Sequence, residues 1–289
     1  MAIGAPVRCV LTLSCPDAHG IVHAVSGFLV EQDCNITESQ QYADPATARF
    51  FLRVGFSCEA PATTVSAIRA AFAPLAARTA MEWQLVDAEV RTRVLVLVSR
   101  HGHCLNDLLF RQSIGALPIK ITSVLSNHDD LRPVAEGAGV AYRRVEVSPE
   151  TRAAAEEQLL TTVAEQDVDL VVLARYMQIL GPRVCEALPG RIINIHHSLL
   201  PSFVGANPYQ QAHDRGVKLV GATAHYVTSD LDRGPIIEQD VARVDHAYDT
   251  PRLAAAGRDV ECQVLARAVR WHAEHRVLRN GERTVVLRG

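Results

Sequence analysis

Two short segments of the sequence are apolar at every position, VLVLV at residues 94–98 and LVVLA at residues 170–174. A strand with one face in water alternates apolar and polar side chains, whereas a strand covered on both faces does not. Strands of the second kind occur in mostly parallel sheets with helices packed on both sides. The two segments therefore predict a doubly wound, mostly parallel, Rossmann-like α/β domain, which we assign to residues 89–289.

The pattern around these segments fits the same architecture. Further strands are predicted at residues 119–127, 140–147 and 191–196, and helical segments lie between them. Residues 221–244 have the pattern of two long antiparallel strands joined at the turn LDRGP. A helix over residues 251–275 and a short hairpin around Asn280 and Gly281 complete the region.

The first 88 residues follow a different order of elements. A strand at residues 7–13 and the turn CPDAHG precede a helix, and a second helix is predicted over residues 63–77. Two strands flank Asp44 and Pro45, and MEWQLV supplies a final strand. The order βαββαβ is the ferredoxin-like arrangement, so we predict a separate domain at residues 1–88. Its helices have apolar side chains at helical spacing, namely Ile21, Val25, Phe28 and Leu29 in the first and Val65, Ile68, Phe72 and Leu75 in the second.

Composition narrows the class of partner. A hydrophobic content of 48% over 289 residues is enough to build real cores. The formal net charge of -3 provides no basic field for general nucleic-acid binding. We also find no run of about 18 apolar residues that could span a bilayer. The sequence therefore predicts a partner that is neither nucleic acid nor membrane.

The seven cysteines are scattered along the chain and contain no C-x-x-C pair. An odd and irregular set argues against a disulfide framework and against a structural zinc site. We therefore expect reduced thiols in a cytoplasmic protein, and no metal.

The predicted strand at residues 191–196 ends in polar side chains. In an open α/β sheet, ligands bind outside the carboxyl ends of the strands, so Asn194 and His196 belong to the expected site. Side chains alternate along a strand, which points these two the same way and His197 the other. The neighbouring histidines are therefore poorly placed to chelate one ion.

Asp230 and Asp232 lie in the turn between the two long predicted strands. A carboxylate beside an imidazole favours the imidazolium, and an asparagine N–H beside it can hold a developing oxyanion. Such a set suits acyl transfer to water or to an amine without a covalent nucleophile. The residues alone leave another interpretation open, in which His196 is a packed histidine and both Asn194 and the D-x-D segment are ordinary turn residues.

Five segments carry a resemblance to a known family: residues 194–237, LARYMQIL (173–180), AGRDVE (256–261), CPDAHGIVHAVSGFL (15–29) and CNITESQQY (34–42). They closely resemble the formyltetrahydrofolate deformylases, a branch of the folate-dependent formyltransferases, over essentially the whole chain. The resemblance implies a formyltransferase-type catalytic domain at residues 89–289 and an ACT regulatory domain at residues 1–88.

By this resemblance Asn194, His196 and Asp232 are the catalytic residues, and Asp232 takes that role in place of Asp230. Asn194 and His196 polarise the formyl oxygen of 10-formyltetrahydrofolate, and Asp232 helps to take protons from the attacking water. The products are formate and tetrahydrofolate, which implies a role in balancing the one-carbon pool and feeding purine biosynthesis. No cofactor is implied. The folate contacts carried over by the resemblance are Arg175, Tyr176, Met177, Ile179, Leu180, His225, Val227, Thr228 and Asp230.

One departure separates this chain from the sister glycinamide ribonucleotide formyltransferases. Those enzymes hold the acceptor phosphate on a Gly-Ser-rich turn after the first strand, whereas this chain has SRHGHCLNDLL at residues 99–109. We therefore expect hydrolysis. Two alternatives remain: formyl transfer to an amine, and a non-catalytic regulator that binds folate or an amino acid. His101 and His103 could bind an anion or lie on the solvent side of that loop.

ACT domains commonly bind amino acids, so the resemblance makes Asp17, Gly20 and Asn35 candidate effector contacts. The alternative is that CPDAHG only forms a turn, with Asp17 as a helix cap and Gly20 relieving backbone strain. Pairing of ACT domains implies a homo-oligomer, either a dimer or a tetramer.

Overall fold

The computed structural model describes residues 6–59, 64–201 and 208–288. The chain divides into two compact units. The first comprises Met1–Arg91, Glu274–Asn280 and Thr284–Gly289, and the second comprises Thr92–Ala273 and Gly281–Arg283. The C-terminal hairpin thus belongs mainly to the first unit, although its sequence follows the second.

The first unit is built on a four-stranded sheet. Its elements are β1 (Val7–Pro16), α1 (Ile21–Glu31), β2 (Cys34–Asp44), β3 (Arg49–Cys58), α2 (Val65–Arg78) and β4 (Glu82–Asp87). The strand order is β2-β3-β1-β4, with β1 antiparallel to both of its neighbours. The predicted ferredoxin-like order is therefore confirmed. The predicted apolar faces of both helices are buried except at Val65, which is half-buried. The Phe72 ring packs edge-on against Phe28 and Trp83 at centroid distances of 5.1 and 4.9 Å.

A disulfide joins Cys34 to Cys58 in this unit, so the expectation that all the cysteines are reduced thiols is wrong for this pair. The two residues are direct partners in the antiparallel β2–β3 register, with Cα atoms 4.3 Å apart. They are 24 residues apart in sequence, and no local motif announces the pairing. The cysteines that remain free are Cys9, Cys15, Cys104, Cys185 and Cys262.

The second unit contains a seven-stranded sheet of order β11-β10-β9-β8-β5-β6-β7. Its elements are β5 (Thr92–Val98), α3 (His103–Ser113), β6 (Ile119–Ser126), α4 (Arg132–Gly137), β7 (Ala141–Arg144), α5 (Arg152–Glu165), β8 (Leu170–Leu173), α6 (Pro182–Ala187), β9 (Ile192–His196), α7 (Pro208–Arg215), β10 (Leu219–Tyr226), β11 (Ile236–Arg243) and α8 (Thr250–Ala273). The sequence pattern did not indicate α4 and α7. The hairpin that follows consists of β12 (Val277–Asn280) and β13 (Arg283–Val286).

Five strands of the large sheet, β5 to β9, are mutually parallel, and β10 and β11 extend it in antiparallel pairs. The segments Val94–Val98 and Leu170–Leu173 are buried at every position. The predicted mostly parallel sheet is therefore confirmed. The two segments are apolar throughout because strands covered by helices have no face that needs polar side chains. Among the helices in the described part of the chain, none is long and apolar enough to cross a bilayer.

Sheet order determines what meets at the carboxyl edge. In the parallel pair of β8 and β9, Leu173 lies opposite Asn194. On the other side of β9, the antiparallel strand β10 places His225 opposite Asn194. Directly opposite residues share a face of the sheet, so the imidazole of His225 and the amide of Asn194 meet although 31 residues separate them.

Candidate functional site

A cleft of about 270 Å³ opens at the carboxyl edge of β8 and β9, within the second unit. Residues that follow β8 form one wall, and the segment between β10 and β11 forms another. Its position agrees with the general rule for open α/β sheets. Asn194, His196 and Asp232 all line this cleft.

Two imidazoles flank the Asp232 carboxylate. His196 Nδ1 lies 3.4 Å from Asp232 Oδ2, and His225 Nε2 lies 3.7 Å from Asp232 Oδ1. Interaction with His196 and then with His225 holds the pKa of Asp232 well below its usual range, although burial opposes this shift. Asp232 is therefore ionised at neutral pH and turns a full negative charge toward both imidazoles.

Hydrogen bonds define the roles of the His225 nitrogens. The backbone carbonyl of Tyr226 can only accept, so His225 Nδ1 donates to it at 2.9 Å. In the neutral imidazole Nε2 then accepts from Asn194 Nδ2, 3.2 Å away. One N–H of the Asn194 amide is used in this way, and the second makes no hydrogen bond to the described residues and can donate to a ligand.

The other nitrogen of His196 is an unsatisfied polar atom within the described part of the chain. Nε2 is buried and makes no hydrogen bond to any residue that the structure describes. Buried polar atoms are normally hydrogen-bonded, so an orphaned nitrogen at a cleft indicates a partner supplied by a ligand. Because Nδ1 faces the acceptor Asp232, Nε2 donates only in the imidazolium form, and in that form Asn194 and His196 can present two N–H donors to one small polar atom in the cleft.

The nine residues expected to contact folate all line the same cleft, and they come from two separate segments of the chain. They are Arg175, Tyr176, Met177, Ile179 and Leu180 after β8, and His225, Val227, Thr228 and Asp230 near the end of β10. Met177 and Ile179 are each more than half exposed, so the cleft presents apolar surface of the kind that a flat ring covers. The Ser99 hydroxyl, which follows β5, accepts from the Met177 backbone N–H at 3.1 Å and ties this wall to the sheet.

His197 also lines the cleft, although the alternation of the strand directs it away from Asn194. Burial, followed by the charges of Arg175 and His196, lowers the pKa of His197 to about 4. His197 is therefore neutral at pH 7. The pair of adjacent histidines was the only sign in the sequence that His197 would line the cleft.

A second polar cluster lies in this unit around the fully buried Glu261 of α8. His103 Nε2 donates to Glu261 Oε2 at 2.7 Å, and the Tyr209 hydroxyl donates to Oε1 at 2.7 Å. Burial alone would raise the pKa of Glu261, but His103, Arg175 and Tyr209 reverse the shift and leave the pKa below its ordinary value. The sequence left His103 either as an anion-binding residue or on the solvent side of its loop, and this buried contact with Glu261 matches neither prediction.

The same cluster has metal-binding atom types. One donor atom each from His103, Cys104 and Glu261 lies within 4.8 Å of the others. Both oxygens of Glu261 already accept hydrogen bonds from protein donors. The carboxylate is therefore satisfied without an ion.

The candidate effector residues lie in the first unit. Gly20 is the N-cap of α1 at a φ of 86°, where a side chain would be strained, and no side chain caps this helix. Asp17 is exposed, and its backbone N–H donates to Ala48 O at 2.9 Å. Of the two parts of the turn-only interpretation, the glycine conformation agrees with the structure, and the Asp17 cap does not. Asn35 lies on β2 opposite Ser57.

Comparisons with known proteins agree with this architecture. The model of the Formyl transferase family matches residues 92–269. A formyltetrahydrofolate deformylase from Corynebacterium sp. (strain P-1) is 52% identical over 98% of this chain and 99% of its own. The crystal structure of a formyltetrahydrofolate deformylase from Burkholderia mallei superposes with a TM-score of 0.93 at 49% identity, covering 98% of this chain and 100% of the other.

A more distant solved structure is a glycinamide ribonucleotide transformylase from Symbiobacterium toebii. It is 34% identical with a TM-score of 0.64, and it covers 95% of its own chain but 68% of this one. The deformylases therefore match both units, and the transformylase leaves about a third of the chain unmatched. On this evidence the chain belongs to the formyltetrahydrofolate deformylase family of enzymes.

Proposed function

We propose that the protein hydrolyses 10-formyltetrahydrofolate to formate and tetrahydrofolate, with Asn194, His196 and Asp232 as its catalytic residues. The observation that carries this proposal is the convergence of an amide N–H, an unpartnered imidazole nitrogen and an ionised carboxylate in one cleft. Apolar walls beside that centre suit the ring system of a folate.

The chemistry follows from the donors. The formyl oxygen accepts from Asn194 Nδ2 and His196 Nε2, which polarises the carbonyl. Water then attacks the formyl carbon, and the negative charge that develops on oxygen is stabilised by the same two donors. Asp232 stabilises the positive charge on His196 through Nδ1 and helps to take the proton from the attacking water. Protonation of the nitrogen and breakage of the C–N bond release tetrahydrofolate and formate.

The loop after β5 supports water as the acceptor in place of an amine. Residues 99–109, which comprise this loop and the first turns of α3, contain a single glycine, so the backbone has little of the freedom that a phosphate-cradling turn needs. His103 opens α3 directly after this loop and is committed to Glu261. Coverage of both units by deformylases supports the same choice.

The first unit suggests regulation. We propose that residues 1–88 form an ACT domain that binds an amino-acid effector through Asp17, Gly20 and Asn35, in a cytoplasmic homo-oligomer whose folate substrate needs no further cofactor. The ferredoxin-like sheet and the glycine-capped start of α1 support this proposal. A physiological role in balancing the one-carbon pool and supplying formate for purine synthesis follows from the products.

A turnover assay with and without amine acceptors tests the reaction. Purified protein should release formate from 10-formyltetrahydrofolate with no acceptor present, and Asn194→Ala should abolish most of that release. An absolute requirement for glycinamide ribonucleotide would contradict hydrolysis and favour transfer. Folate binding without any turnover would instead favour a regulatory protein.

A further inference from the structure

Arg175 has a backbone conformation that an arginine seldom adopts. Its φ of 64° lies in the left-handed region, which a side chain with a Cβ makes unfavourable. A strained non-glycine residue beside a cleft suggests that its side chain is needed there. The resemblance assigns the segment 175–180 to folate contact through its backbone, so the Arg175 side chain has no role in the reaction described above.

The guanidinium of Arg175 is buried and incompletely paired. The residue is 9% exposed, and its Nε has no hydrogen-bond partner among the residues that the structure describes. Nε lies 3.5 Å from Glu261 Oε2, whose lone pairs are shared with the closer His103. Glu261 therefore holds Arg175 by charge but leaves hydrogen-bonding capacity on the guanidinium unused.

This cation lies close to the reacting centre. Arg175 lines the same cleft as Asn194 and His196, and it lies two residues beyond Leu173, the register partner of Asn194. Among the described residues that line the cleft, Arg175 is the only arginine or lysine, and the carboxylates there are Asp230 and Asp232. An anion formed between Asn194 and His196 would therefore meet repulsion from Asp232 and attraction from Arg175.

We propose that the Arg175 side chain is a binding subsite for a small carboxylate, namely the formate released by hydrolysis. This inference rests on the proposed function. Water adds its oxygen to the formyl carbon, the C–N bond breaks, the nitrogen takes one proton of the water, and the formic acid loses the other to become an anion at neutral pH. Formate then carries a full charge that the neutral formyl group did not have, and a buried guanidinium binds carboxylate strongly.

The glutamate tail of a folate is a second source of carboxylate that could bind Arg175. That tail lies at the opposite end of the molecule from the pterin ring, beyond the benzoyl group, and ionised tails favour solvent. Arg175 is buried next to the polar centre, which favours formate as its ligand. The two sources of carboxylate are separable by experiment.

The test is a titration of ligand-free protein with ¹³C-labelled formate, followed by NMR, with chloride as the ionic-strength control. Arg175→Met should weaken formate binding by about tenfold or more, because a charge-assisted hydrogen bond is lost. Arg175→Lys keeps the charge and should bind with intermediate affinity. Arg183→Met removes an exposed arginine of α6 and serves as the matched control, with binding equal to that of the wild type.

Glu261→Gln supplies an independent arm should Arg175→Met fold poorly. It removes the competing carboxylate and keeps Arg175, so formate should bind more tightly than to the wild type. Unchanged formate affinity in folded Arg175→Met, or weaker affinity in Glu261→Gln, would overturn the subsite. If Arg175→Met weakened the binding of tetrahydrofolate but not of tail-less tetrahydropteroate, while formate binding stayed the same, Arg175 would serve the glutamate tail instead. Formate binding needs no turnover, so failure of hydrolysis in the wild type would refute the proposed function and leave this measurement intact.

Discussion

Replacement of Asp232 by asparagine removes the charge that faces both imidazoles of the cleft while keeping the size of the side chain. His196 Nδ1 and Asp232 Oδ2 are 3.4 Å apart, and the two side chains are 8% and 17% exposed. At an effective dielectric constant of about 20, a full charge pair at that separation is worth about 5 kcal/mol. If most of this energy stabilises the imidazolium only as the oxyanion forms, Asp232→Asn should lower kcat by about 10³- to 10⁴-fold.

A second histidine–aspartate pair provides the control. His213 Nδ1 and Asp214 Oδ1 are also 3.4 Å apart, but these side chains are 46% and 64% exposed. Water screens such a pair, so Asp214→Asn should leave kcat and KM at their wild-type values. Steady-state formate release, measured for both variants at pH 7 with saturating 10-formyltetrahydrofolate, gives the comparison. A loss smaller than about tenfold in Asp232→Asn would refute the electrostatic role that we assign to this carboxylate.

Three further outcomes are expected. Asn194→Ala should lower kcat by about 10²- to 10³-fold in the formate-release assay, because one of two oxyanion donors is lost; a change mainly in KM would contradict that role. The pKa of His197 falls from 6.5 in the unfolded chain to about 4 when folded, so the unfolded state binds the extra proton between these values and stability is lost as pH falls through that window. Between pH 7 and pH 5 the free energy of unfolding in urea should therefore fall by about 2 kcal/mol less in His197→Asn than in the wild type. Equal decreases in the two proteins would count against a buried neutral histidine. A Cβ on Gly257 would collide with the Tyr209 ring and hydroxyl, so Gly257→Ala should lower the free energy of unfolding, measured by thermal denaturation, by about 1–3 kcal/mol. Gly137 has open space around it, so Gly137→Ala should be neutral or stabilising in that assay.

Local periodicity in the sequence was enough to predict most of the fold. The uninterrupted apolar runs of β5 and β8 predicted a covered parallel sheet, and the spacing of Ile21, Val25 and Phe28 predicted the buried face of α1. These patterns are visible in the sequence alone because a helix buries one stripe and a strand one or both faces, whichever element packs against them. The sequence pattern missed α4 and α7, since short helices of six and eight residues contain too few turns to establish a period.

The site was only partly contained in the sequence. The strand alternation put Asn194 and His196 on one face, and the resemblance singled out Asp232, but the pairing of His225 with Asn194 depends on the antiparallel register of β9 and β10. The disulfide between Cys34 and Cys58 depends on the β2–β3 register in the same way.

The cluster around Glu261 was decided by the tertiary structure alone. Its members His103, Arg175 and Tyr209 come from segments that are distant along the chain, and no spacing relates them to α8. Side-chain periodicity reports which way a residue faces along its own strand or helix. Which residue it meets is decided by strand order and helix packing, because those bring together groups whose separation in sequence carries no information about their separation in space.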